Sequence, residues 1–466
     1  MSAYPPLEKR DLPSPPHWSK AIGVGIVMMG LAIGTGELIL WPHLVTKHGL
    51  GLLWLALLGI SAQYFINQEV GRHSLATGEG FFTTSARVIK WSAAFWLISA
   101  VLLYIWPGWA SAIGTTLKEL FGFGSHLMWS WFTLVLVLVL TFSGKVAYNM
   151  LEKSLKITVP TFFILIVIIS FLNLSLSDLF QAIAGVFNFG DIPNDVDINV
   201  LLGAVVFAGA GGMLNLTVSL WYRDKQNGMG KYIGRITNPI TGKSEAVAAT
   251  GFTFEPNEGN LSRWKGWMKF LIIDQAVIFW LLGFTTLFLL STNAYVVLTP
   301  KGLAPEGLQI AVVQAHIFGE KWGIIGYNLF LIMAALMLFS VMWTVIDALT
   351  RIVSDILYTN SHVGPFSQKL SLLKNVSISR LYYITIALIV LIGALLVPLQ
   401  QPLTLLVISA VLSGLSMAIY TPFLIYINNT RLPKAIRPGW FTNIAMSLIS
   451  IFFLYFAIRI INLHLF

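Results

Sequence analysis

The chain has 466 residues, of which 56% are hydrophobic and only 11% charged. A soluble domain carries about 25% charged residues, so a water-soluble globule of this size is excluded. The absence of cysteine rules out disulfides, thiolate metal ligands and a catalytic Cys. The formal net charge of +9 is read as basic loops facing one side of a membrane rather than as a nucleic-acid surface.

Residues 1–20 hold Pro5, Pro6, Pro13, Pro15 and Pro16 among charges. No short apolar core with a cleavage site follows, so the segment is read as a disordered cytoplasmic tail rather than a signal peptide. A membrane helix needs about 20 apolar residues. By that measure the sequence predicts eleven spans, near 21–42, 51–70, 91–117, 127–146, 155–174, 199–222, 267–290, 322–357, 381–397, 403–427 and 440–461. The eighth is longer than a bilayer requires, and its C-terminal turns are expected to project into water. A Gly-rich polar loop at 223–266 is too small for a catalytic domain.

With the N-terminus in the cytoplasm, the outside loops and ends hold only Lys47, Lys118, Lys301, Lys321 and Arg459 of the 29 Lys and Arg residues. The loop between the fifth and sixth spans carries Asp178, Asp191, Asp195 and Asp197 and no basic residue. The positive-inside rule therefore places the N-terminus in the cytoplasm and, with an odd number of spans, the C-terminus outside a bacterial-type plasma membrane.

Two spans are interrupted by glycine at corresponding places. The first contains Gly34-Thr35-Gly36-Glu37 and the sixth Gly209-Ala210-Gly211-Gly212. Glycine costs about 1 kcal/mol against Ala in a helix interior, so both runs favour local unwinding. Unwound backbone at membrane depth must face protein or a wet cavity. Breaks five spans apart fit inverted repeats, residues 21–175 and 199–428, around a midplane site, with an additional helix in 437–466. The substrate-binding candidates are thus Gly34, Thr35, Gly36, Glu37, Gly209, Gly211, Gly212 and Asn215. Close helix packing through small residues is the competing reading.

Glu37 is the only acidic residue between Asp11 and Glu69. An ionisable side chain at such depth costs a few kcal/mol to insert. It is a candidate ligand for a cation, carrier for a proton or partner for a substrate amine, set against a structural cap on the break. Thr217 and Ser219 offer further oxygens after the sixth-span break, and Gln63 and Asn67 are expected to line a path or bond neighbouring helices. Asp347, Arg351 and Asp355 share one helix face by their spacing of four and read as an ion network near the cytoplasmic end, or as an inner gate. Asp274 is expected at the interface. The histidines show no metal-ligand spacing, and no phosphate loop, nucleophile elbow or zinc motif is present, so neither an enzyme nor a bound cofactor is expected.

At these residues the chain resembles the natural resistance-associated macrophage protein (Nramp) family of metal-ion transporters, from the first span to the tenth. Gly34-Thr35-Gly36-Glu37 lies where that family has Asp-Pro-Gly-Asn. Leu75-Ala76-Thr77-Gly78, Gly203-Ala204, Asn215-Leu216 with Ser219, and Leu405 to Ser409 through Pro422-Phe423 are also similar. The resemblance implies an all-α LeuT-type 5+5 inverted repeat with an eleventh helix, alternating access and proton-linked divalent metal uptake. The family's metal-binding Asp falls on Gly34, its Asn on Glu37, its Met on Gly212 and a tenth-helix Gln on Ala410, while the third span lacks a relay carboxylate. Only Gly36 and Asn215 match. Loss of the soft thioether points towards a hard cation, with Glu37 as the metal ligand, or towards no metal at all. The expected function is a secondary active transporter of an inorganic cation. An amino-acid or organic-acid transporter of the same fold is the alternative, because Gly34-Thr35-Gly36 offers N–H groups beside a half-helix end. A membrane receptor or scaffold is the third reading. The expected partners are a small solute or ion and the bilayer, with no nucleic acid. Oligomeric state is open.

Overall fold

The computed structural model describes residues 4–18, 21–34, 36–243, 245–305, 310–399 and 402–465. Apolar runs without polar punctuation become helices because only helices satisfy every backbone group in lipid. Ten of them, among the described residues, are long and apolar enough to cross a membrane. The eleventh crossing is the sixth predicted span, split into helices Ile198–Val206 and Leu214–Asp224.

The first span is split too. Helix Val24–Ala32 ends at Ile33, and the chain resumes as a wide turn over Gly36–Leu40 and a helix over Trp41–His48. Both broken spans lie at the centre. The first packs on the fifth, seventh and eighth spans, and the sixth on the second and tenth. Every residue of Val24–Ala32 and of Leu214–Asp224 is buried. By contrast, Trp440–Leu465 turns Phe441, Leu448 and Ile451 outward as lipid-facing surface.

Three expectations are corrected. Residues 4–18 are not a disordered tail. Glu8–Lys9 (β1) pairs in parallel with Phe252–Thr253 (β2), the Leu12 N–H donates to Asn260 Oδ1 at 3.0 Å, and Trp267 Nε1 donates to the Pro13 carbonyl at 2.7 Å. Tyr4 is buried and donates to Asn360 Oδ1 at 2.8 Å. The segment is a strap between the 223–266 loop with its following helix and the end of the eighth span.

That strap and loop explain the second correction. Helix His316–His362, kinked at Gly323 where φ is 58°, does not end in water. Asp347, Arg351, Asp355, Thr359 and Asn360 are all buried by protein. The third concerns Asp274, which is fully buried rather than interfacial. Its carboxylate accepts from the N–H groups of Gly23 (3.2 Å) and Gly25 (2.8 Å) and from the Tyr222 hydroxyl (2.6 Å). It caps the otherwise unsatisfied start of the first span.

Candidate functional site

The two breaks touch. A methyl group on Gly36 would overlap the Phe207 carbonyl, so only glycine allows the first break to lie against the sixth. Trp41 Nε1 reinforces this by donating to the Ala204 carbonyl at 2.9 Å. Gly34 is also close-packed, a Cβ there meeting the side chain of Val341 of the eighth span. Thr35, a sequence candidate, lies outside the described residues.

In the sixth break Gly211 and Gly212 take φ of 80° and 58°, a region that side-chain-bearing residues avoid. The groups this exposes are met by side chains. Gln63 Nε2 donates to the Val206 carbonyl at 2.7 Å, and its Oε1 accepts from the Gly211 N–H at 2.8 Å. Tyr104 donates to the Gly211 carbonyl at 3.2 Å and accepts from Leu214 N–H at 3.3 Å. Tyr420 donates to the Gly212 carbonyl at 2.9 Å and accepts from Asn215 Nδ2 at 3.3 Å. Ser413 donates to Tyr104 at 3.2 Å. Sequence reasoning missed Tyr104, Ser413 and Tyr420. Tyr104 closes helix Ser92–Tyr104 just before Pro107, and that interruption was its only local signal.

The candidates therefore separate onto two sides of the broken helices. Gly211, Gly212 and Asn215 face the third and tenth spans. Gly209 sits against Gln63 and Phe279. Glu37 faces the second and seventh spans: a Cβ on Gly283 would meet Ile60 Cδ1 at 2.8 Å, Met29 Sδ at 3.5 Å and Glu37 Oε1 at 3.8 Å. A thioether thus lies near Glu37 after all, supplied by Met29 of the first span itself.

Glu37 has no solvent exposure, and neither carboxylate oxygen has a hydrogen-bond partner among the described residues. Isolated buried polar groups are costly, so a native structure that keeps one invites a functional account. Asn67 is in the same condition at both side-chain atoms, as are Asn215 Oδ1 and Thr217 Oγ1. Ser219 is instead consumed structurally, accepting from the Phe81 N–H at 3.2 Å. No cluster of three or more His, Asp or Glu suited to a metal occurs among the described residues.

Asp347, Arg351 and Asp355 join a larger buried network. Arg351 bridges Asp347, at 2.6 Å through Nε, and Asp224. Asp347 also accepts from Trp221 Nε1 at 2.9 Å and from Tyr382. Arg223 holds Asp355 and reaches Asp224 at 3.4 Å. The network ties the sixth span to the eighth and ninth. The residues the sequence placed on one face are brought together through Arg223 and Asp224, which the sequence reading had not singled out.

No family model and no curated protein matches the chain. Solved structures do. The manganese transporter of Eremococcus coleocola, in complex with an aromatic bis-isothiourea substituted compound, superposes with a TM-score of 0.68 at 12% identity over 97% of this chain and 88% of that one. Mhp1, a nucleobase-cation-symport-1 family transporter in a closed conformation with bromovinylhydantoin bound, gives 0.56 at 13% identity, over 98% and 94%. MhsT in complex with L-phenylalanine gives 0.50 at 14%, over 95% and 100%. At such identities the likeness carries the fold, and at that level the resemblance read from the sequence is met. The chain is an all-α, multi-pass membrane protein of the LeuT-type 5+5 fold with an eleventh helix.

Proposed function

We propose that this protein is a secondary active transporter that moves an inorganic cation across the membrane by alternating access, with Glu37 as the charged group of its site. The observation that carries the reading is the Glu37 carboxylate: fully buried, unpartnered at both oxygens and set immediately after a break in the central helix. A manganese transporter among the structural neighbours supports a cation as the cargo. One carboxylate with amide and backbone oxygens suits a hard divalent ion such as magnesium or calcium. The nearby Met29 sulfur makes manganese the informative competitor.

An amino acid or organic acid is the second reading, supported by the L-phenylalanine complex among the neighbours. Against it, two N–H groups of the sixth-span break, those of Gly211 and Leu214, are already engaged by Gln63 and Tyr104. That leaves fewer N–H donors there to cradle a carboxylate. Uptake into proteoliposomes decides among the readings. Saturable uptake of magnesium, calcium or manganese supports cation transport. Uptake of amino acids alone moves the assignment to the second reading, and no uptake of either class favours a receptor. We further place the N-terminus in the cytoplasm and the C-terminus outside, on the Lys and Arg distribution. A C-terminal reporter that fluoresces only in the cytoplasm should stay dark.

A further inference from the structure

At the end of the fold that carries the 223–266 loop, two cavities meet at the start of the ninth span, helix Ile378–Leu396. One is polar, about 350 Å³, and is lined by Asn238, Asn375, Ser377, Ser379 and Arg380 among others. The other is an apolar groove of about 410 Å³ along the outer face of the same helix, lined by Tyr383, Ile384, Ala387, Leu388 and Leu391 with Phe142. They share Pro239 and Arg380. Ile384, Leu388 and Leu391 are more than half exposed, as a surface facing lipid should be.

We propose that this paired cavity binds one anionic phospholipid, its phosphate on Arg380 in the polar pocket and an acyl chain in the groove. A polar pocket at the start of the helix that continues into an apolar groove along its outer face is the profile of a lipid rather than of a soluble metabolite. Arg380 is exposed and makes no ion pair among the described residues, which leaves its fork free for a phosphate. The surroundings exclude a competing carboxylate. Asp355 is the last acidic residue of the chain, whereas Lys369 and Lys374 precede Arg380. The residues lining the two cavities include no acidic side chain, and Glu245, which follows the lining segment 237–242, is already paired with Arg235.

The rim is also built. Asn238 donates to the carbonyls of Phe142 (2.8 Å) and Gly144 (2.9 Å) and accepts from the Ile240 N–H at 2.8 Å. The Thr237 N–H donates to Ser379 Oγ at 3.1 Å. The larger cavity beside the first and fifth spans, about 710 Å³, lacks this property. Its Lys156 and Lys225 are both already bound to Glu152, at 2.8 and 2.7 Å.

The test uses the full chain in nanodiscs and native mass spectrometry. Phosphatidylglycerol should be retained through detergent extraction and phosphatidylcholine should not. A basic side chain at the membrane surface contributes about fivefold in affinity, so R380Q should lower phosphatidylglycerol retention by about that factor. A387W, which fills the groove and leaves Arg380 in place, should lower it as well. Millimolar inorganic phosphate should not displace the lipid. Equal retention of the two lipids, unchanged retention in R380Q, or full displacement by phosphate alone would overturn the proposal. Melting temperatures of both variants in phosphatidylcholine nanodiscs should match wild type, which separates lost binding from lost folding.

Discussion

Gln63 of the second span accepts from the Gly211 N–H at 2.8 Å while its amide nitrogen donates to the Val206 carbonyl at 2.7 Å, so one side chain closes both lips of the sixth-span break. Glutamine is the residue for this place because a single planar amide presents an acceptor and a donor. Gln63→Ala strands a buried donor and a buried acceptor at about 1–3 kcal/mol each. Gln63→Glu keeps the size but turns acceptor oxygens towards the Val206 carbonyl. Both variants should unfold at lower temperature than wild type in detergent, the glutamate variant more so above neutral pH. Wild-type melting in Gln63→Ala would mean that the break is held without this clamp.

Glu37→Gln should separate transport from stability. The amide retains size and removes only the charge, and no native hydrogen bond is there to lose among the described residues. Uptake per folded molecule is expected to fall at least tenfold, with melting unchanged or raised. Glu37→Asp should lie between. Wild-type uptake by Glu37→Gln would move the site to Asn67, Asn215 and Thr217.

Gly36→Ala tests the contact between the breaks. The added methyl meets the Phe207 carbonyl, a backbone atom that cannot swing away. Overpacking costs about 1–3 kcal/mol, occasionally more. The expected result is a loss of transport exceeding that of Gly283→Ala, whose methyl first meets the flexible end of Ile60. Equal uptake by the two variants would show that the breaks do not press together in the working cycle.

Arg351→Met removes the cation between Asp347 and Asp224. Breaking a buried pair from one side typically costs about 3–5 kcal/mol, so this variant should be poorly folded. The double change Arg351→Met with Asp347→Asn should recover part of the loss. No recovery would mean that Arg351 acts chiefly through Asp224.

The strap offers a pH test. Burial is the main reason that the Tyr4 hydroxyl is pushed up from 10.0 to about 12. A group raised in the folded state contributes stability below its ordinary value and loses it as pH climbs through the raised one. Limited proteolysis within residues 4–18 should therefore accelerate between pH 10 and 12. Tyr4→Phe should be cleaved faster than wild type at neutral pH, and it should lack the alkaline step.

Much of the architecture was legible because its causes are local. Glycine runs marked both breaks, apolar length marked the spans, and the isolation of Glu37 marked its depth. The rest of the clamp, beyond Gln63, was not, because Tyr104, Ser413 and Tyr420 come from the third and tenth spans and carry no local sign of their partner. Asp274 misled for a related reason: its place near a span end looked interfacial, while the N–H groups it caps belong to another helix. The prolines before residue 20 read as a tail because an isolated Tyr4 or Leu12 shows no periodicity. Their anchors, Asn360 and Asn260, lie hundreds of residues away.

That separation has a consequence in time. β1 pairs Glu8 with Phe252, so this strand, once synthesised, waits for a partner made some 240 residues later. At about 5–20 residues per second, the wait is roughly ten to fifty seconds. During that interval Tyr4 and Leu12 have nowhere of their own to be buried. A nascent chain arrested before Phe252 should expose them to protease or chaperone, and one arrested after Trp267 has left the ribosome should begin to hide them.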